Sequence, residues 1–156
     1  MKSLVILYVA FLGIALGVEM AAGAFIAPVI FFPHKYLGEG VLSHFQSGIL
    51  MTQVFLKTNM LLMIVAVYSL FFEIISWIKK RNNDVFSSIC AFLSVGLTAV
   101  FVFYHTPFIV EAQAQGALAT ATEAFNTMHK QSEVVMKSLM VIQLSLFFRR
   151  VWLIQK

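Results

Sequence analysis

Four apolar runs separated by short polar stretches dominate the pattern of this chain. A helix needs roughly 20 mostly apolar residues to cross a hydrocarbon core about 30 Å thick, at about 1.5 Å per residue. Runs over 4–32, 49–78, 85–104 and 132–153 meet that requirement. They predict an all-α integral membrane four-helix bundle forming a single domain over 1–156. The first run contains Glu19 and closes at Pro33, which cannot continue a helix easily. Its small residues Ala21, Ala22, Gly23 and Ala24 resemble a leader cleavage region. Apolar residues resume through Phe32, however, so the run is expected to be retained as a span.

Ser43 is placed to cap the second helix, which ends in Lys79, Lys80 and Arg81. After the turn residues Asn82 and Asn83, Asp84 is placed to cap the third. His105, Thr106 and Pro107 mark the expected far end of that helix. Between Phe108 and Lys130 the chain becomes Ala-, Gln- and Thr-rich, too polar to span but made of helix formers apart from Gly116. This predicts an extramembrane helical hairpin between the third and fourth spans. Leu118, Phe125, Met128, Val135, Leu139 and Ile142 recur near helical spacing, so one long helix is expected to run from this region into the fourth span. No internal repeat is obvious, although the two halves can be read as distant copies.

Composition supports the membrane reading. Of 156 residues 60% are hydrophobic and 12% charged, and the mean hydropathy is +0.89. A soluble core of this size exposes too much of itself to hide that much apolar surface. The formal charge of +4 comes from Lys and Arg at run ends, where topology accounts for them, so nucleic acid is not an expected partner. Lys2, Lys79, Lys80, Arg81, Arg149, Arg150 and Lys156 fall on one side of the membrane. Lys35 and Lys130 on the other are nearly balanced by Glu39, Glu111 and Glu123. Basic residues favour the cytoplasm, which is therefore expected to hold both termini. The single Cys90 lies in an apolar run, excludes an intramolecular disulfide and reads as a packing residue.

This topology puts His34, His44, His105 and His129 near the outer ends of the four helices, one to each. Imidazole is a common ligand of transition metals and haem iron, and rings meeting at one level form a candidate site. Polarity at a membrane interface accounts for the same placement without any ligand. No two of the four stand at the helical spacing that puts ligands on one face, so a site must be assembled between helices. Ser132 and Glu133 follow His129 at helical spacing and are candidates for orienting its ring. Met128 and Met136 are candidate soft ligands for copper, or packing residues.

A second polar feature lies within the spans. Glu19 and Lys57 reach similar depth on antiparallel helices, and a lone charge near the bilayer centre costs at least about 2.5 kcal/mol, so the two are expected to pair. Gln46, Gln53 and Lys57 stand near whole numbers of helical turns apart, a stripe expected to face protein or water. It serves either as a proton or ion path or as a packing device for helices one and two. Glu133 and Lys137 form an i, i+4 pair, and Gly13, Gly17, Ala21 and Ala24 suit close helix contact. There is no phosphate-binding glycine loop, Cys-x-x-Cys or nucleophile elbow, so enzymatic chemistry has little support.

The segments Gly23-Ala24-Phe25-Ile26-Ala27-Pro28-Val29-Ile30-Phe31 and Phe125-Asn126-Thr127-Met128-His129-Lys130-Gln131-Ser132 resemble a bacterial family of uncharacterised four-helix membrane proteins. That family is similar to the eukaryotic transmembrane family associated with cisplatin resistance. It is more remotely similar to the copper-resistance D-like proteins and the haem-binding protoporphyrinogen oxidases. The resemblance implies a four-helix bundle of the bacterial inner membrane, with Pro28 near the outer end of helix one and His129 opening helix four. It implies no particular activity. The leading expectation is a protein that binds a metal ion or haem through His129 with His44 or His105. Two alternatives are an accessory subunit packing against membrane proteins or its own copies, and a small ion- or proton-coupled transporter using Glu19 and Lys57.

Overall fold

The computed structural model describes residues 2–80 and 83–155. Arg81 and Asn82 of the expected turn, the C-terminal Lys156 and the side chain of Lys2 lie outside the described residues. Every element among the described residues is helical. Helix one runs through α1 (Lys2–Met20), a π-helical turn (Ala21–Ile26) and α2 (Ala27–Phe31). The short α3 (His34–Leu37) leads to α4 (His44–Ile78). Helix three comprises α5 (Val85–Val100), a second π turn (Phe101–His105) and α6 (Thr106–Ala114). A single-turn α7 (Ala117–Thr120) and the long α8 (Glu123–Ile154) complete the chain.

Three of these rods, Ser3–Phe31, His44–Ile78 and Val85–Ala114, are long and apolar enough to cross a membrane. The chain is therefore a multi-pass membrane protein by length and composition. α8 has 32 residues, but its first half carries His129, Lys130, Glu133 and Lys137, so composition alone does not mark it as a span. α1 packs on α4 and α8, and α5 packs on the same two, so α1 faces α5 and α4 faces α8 across the bundle. The buried stripes have the alternating three- and four-residue spacing of one helical face. They are Tyr8, Leu12, Ala15, Glu19 and Ala22 on helix one, and Leu62, Val65, Ser69, Phe72 and Ser76 on α4. On α8 the stripe is Ser132, Met136, Leu139, Gln143, Leu146 and Arg150. The opposite faces present Val67, Phe71, Phe103, Val141 and Phe148, apolar side chains suited to lipid.

Helix three does not end at Tyr104 as its polar residues suggested. Pro107 has no N–H and its ring would collide with a carbonyl one turn earlier in an α-helix. The wider π turn absorbs this: the Thr106 N–H and hydroxyl both donate to Phe101 O, and the helix continues to Ala114. Helix one uses the same device, with Ala27 N–H donating to Ala22 O just before Pro28. The two halves thus share a π turn followed by proline. Of the glycines on helix one, Gly13 alone makes a close approach, its Cβ position lying 3.3 Å from the Phe147 ring. Gly17 and Ala24 are exposed, so the interface there is built by Ala15 and Ala22 instead.

Helix starts follow the caps read from sequence. Ser43 Oγ accepts from Gln46 N–H and the Gln46 side chain accepts from Ser43 N–H, a reciprocal capping box. Asp84 accepts from Ser87 N–H and its hydroxyl, and from Arg149 on α8 at 2.6 Å. That guanidinium holds the Asp84 carboxyl well below the usual carboxylate range, against a smaller opposing effect of burial. A depressed native pKa adds stability that is present above the unfolded carboxylate pKa of about 4 and is lost as pH falls through the native value. Asp84→Asn is expected to cost about 1 kcal/mol near neutral pH, with the gap to wild type closing in acid. Thermal unfolding in detergent across pH checks this; a gap that widens in acid contradicts it.

Candidate functional site

Where the helices extend past the bundle core toward α6 and α7, they part to enclose a cavity of about 550 Å³. α4, helix three, α7 and the first turns of α8 form its walls. Phe55, Phe101 and Met136 make an apolar floor, while His44, Gln113, Asn126 and His129 sit in the walls above. Two hydrogen bonds tie α4 to helix three here. Gln113 Nε2 donates to Thr52 Oγ1 at 3.0 Å, and Asn59 Nδ2 donates to Thr106 Oγ1 at 2.9 Å.

The four histidines do not converge on one point. His44 lies beside Phe31, ring centroids 5.5 Å apart, and faces both this cavity and a smaller one of about 120 Å³ that also contains His34. His129 stacks on Phe125 and approaches Glu133, Nε2 to Oε1 3.4 Å, while Glu133 also holds Lys137 at 3.1 Å. His105 is buried on the second π turn with Nδ1 3.1 Å from Met128 Sδ, and it takes no part in the cavity wall. The geometry therefore joins His44 with His129 and leaves out His105. The Ser132 hydroxyl donates to the backbone oxygen of His129 rather than to its ring. Among the described residues, no three His, Cys, Asp or Glu side chains gather as a metal site.

The expected Glu19–Lys57 pair does not form. Glu19 is 4% exposed and both carboxyl oxygens are buried without a hydrogen-bond partner, whereas Lys57 is exposed. Lys57 lies two residues before the inward-facing Asn59, about 200° around the helix, so it points away from the bundle interior. Gln46 and Gln53 are exposed on the same outer side, and the stripe faces the bundle's surroundings rather than its interior.

A buried ion pair lies instead at the opposite end. Glu73 and Arg150, 0% and 1% exposed, meet across the bundle. Ser88 Oγ donates to Glu73 at 2.8 Å and accepts from Trp77 Nε1 at 2.9 Å. The Arg150 guanidinium lies over the Phe72 ring at 4.9 Å and the Tyr8 ring at 5.8 Å. Sequence reading assigned Arg150 to topology and passed over Glu73. The signal was the helical spacing that puts Glu73 beside the inward Phe72 and Ser76 of α4, and Arg150 in line with Gln143 and Leu146 of α8.

A polar-cored bundle with three membrane-length apolar rods defines a helical multi-pass membrane protein. A family model described as Domain of unknown function (DUF4149) matches residues 10–118, and the chain belongs to that family. The match includes the Gly23–Phe31 segment and stops short of Phe125–Ser132. It gives no link to the cisplatin-resistance or copper-resistance D-like proteins. No curated protein and no solved structure matches the chain.

Proposed function

We propose that this protein crosses a bacterial inner membrane four times, with both termini cytoplasmic, and binds one small amphiphilic molecule in the cavity at its outer end. Support for the fourth crossing comes from packing. α8 accompanies helix three from Met128 beside His105 to Arg149 beside Asp84, the length of a span, so the two cross together. Val134, Val141 and Phe148 give α8 exposed apolar side chains within that length. Lys79 and Lys80 mark the end with Glu73 and Arg150 as cytoplasmic.

The observation that carries the binding reading is the cavity itself: about 550 Å³, aromatic-floored, with a few hydrogen-bonding side chains above. Pockets of this size and lining are the usual seats of small ligands. Gly48 lines it, and a Cβ added there meets Gln113 Nε2 at an ordinary 3.6 Å, so the position accepts a side chain and a bulky one would compete for the cavity. Native mass spectrometry from mild detergent is expected to find a small amphiphile on the wild-type protein and none on Gly48→Phe. An empty wild-type cavity, or equal loading of both proteins, contradicts the proposal.

Haem is a second reading with one observation of its own, the presence of both His44 and His129 in the cavity wall. Haem iron, if bound, would be held by these two imidazoles, a ligand set that suits it better than a bare copper ion. A Soret band lost in both His44→Ala and His129→Ala supports haem; a colourless preparation after haem reconstitution removes it.

A further inference from the structure

The cavity has a side as well as a mouth. α1 packs against both α4 and α8, but beyond the first π turn the packing on α8 falls away and α2 stays with α4. The Ser47 hydroxyl donates to Ile30 O at 2.8 Å and Phe31 lies beside His44, holding α2 to α4. Phe31 is accordingly the one residue of helix one in the cavity wall. The outer segment of helix one thus stands apart from α8, and its Phe25 and Val29 are exposed.

The depth of this separation follows from helix rise. Counting about 20 residues from Leu4 on helix one and from Val85 on helix three reaches Ala24 and Tyr104, the outer edge of the hydrocarbon. Both π turns sit at that level, and so does the cavity floor of Phe101, Phe55 and Met136. The hydrogen-bonding residues His44, Gln113 and Asn126 sit beyond it. Thr52 and Thr106 at the floor already hold partners in Gln113 and Asn59, so the imidazole and amide side chains gather at the exterior end, among Phe31, Phe45 and Phe125, in the orientation of an outer-leaflet lipid.

We infer that the occupant is a membrane lipid of the outer leaflet, entering sideways between α2 and α8, its chain against Phe55, Phe101 and Met136 and its headgroup among His44, Gln113 and Asn126. This rests on the cavity being a ligand site, and it specifies where the ligand comes from. A water-soluble ligand entering from the exterior would need neither the separation of α2 from α8 nor the gathering of imidazole and amide groups at one end.

The test is photolabelling of the full chain in phosphatidylethanolamine–phosphatidylglycerol vesicles containing a phosphatidylglycerol with a diazirine in its acyl chain. Adducts are expected on peptides containing Phe55 and Met136 as well as on lipid-facing Val67 and Phe103. In Gly48→Phe the first group is expected to disappear while the second persists, which also verifies that the variant is folded. Labelling confined to Val67 and Phe103 in both proteins overturns the inference. Octyl glucoside binding followed in parallel separates the two claims. If Gly48→Phe abolishes it while no cavity adduct forms, the cavity remains a ligand site and lipid entry is wrong; loss of both results removes both claims.

Discussion

Glu73→Gln is expected to destabilise the protein by about 3–5 kcal/mol, the largest effect of any single polar change in the bundle. The substitution keeps the shape of the side chain and its hydrogen bond from Ser88, but removes the negative charge that Glu73 sets against the 1%-exposed Arg150 guanidinium. Taking a charge out of water is costly, and the attraction between partners offsets that cost only while both are present. The double change Glu73→Gln with Arg150→Met removes both charges and is expected to recover much of the loss. Unfolding of the reconstituted protein, followed by circular dichroism, compares the three. Additive losses in the double variant mean that the two residues do not act as a pair.

Phe72→Ala is expected to cost about 3–5 kcal/mol, since a buried ring removed from a packed interior leaves a cavity that its neighbours fill only partly. Phe72 is 2% exposed and touches both Tyr8, centroids 4.7 Å apart, and the Arg150 guanidinium. Within a bilayer this cost is mainly lost van der Waals contact, because lipid solvates an exposed ring well. The same change at Phe103, 71% exposed, is therefore expected to cost under about 0.5 kcal/mol. The contrast between two identical substitutions is the informative quantity. Similar losses at the two positions mean that the inward and outward faces of the bundle are assigned wrongly.

Local signals made much of the fold legible. Ser43 and Asp84 start α4 and α5 as caps, and Gly116, φ +102°, marks the break between α6 and α7. Helix three was read as too short because Pro107 looks like a stop. The π turn that carries the helix past it is a rearrangement of backbone hydrogen bonds and leaves little trace in composition.

The site was legible in part, for a similar reason. Sequence gives depth along a helix well, since every residue adds the same rise, so the histidines and Glu19 with Lys57 were placed at comparable levels. Azimuth is harder, because a two-residue offset turns a side chain to the other side. Lys57 and Asn59 illustrate this: one is exposed, the other 4% exposed and bonded to Thr106. His105 likewise turns inward, buried toward Met128 on its π turn. Glu73 was missed because a single acidic residue near a span end looks interfacial until a basic residue from another helix meets it.

Everything proposed about the cavity depends on α8 crossing the membrane beside helix three. Single cysteines at Asn83, Gln115 and Gln155, all exposed, in a Cys90→Ser background report on this directly. With a membrane-impermeant maleimide on intact cells, Gln115→Cys is expected to label at once, and Asn83→Cys and Gln155→Cys only after permeabilisation. Labelling of Gln155→Cys together with Gln115→Cys on intact cells would contradict the fourth crossing. Labelling of Asn83→Cys in place of Gln115→Cys would put the cavity on the cytoplasmic side.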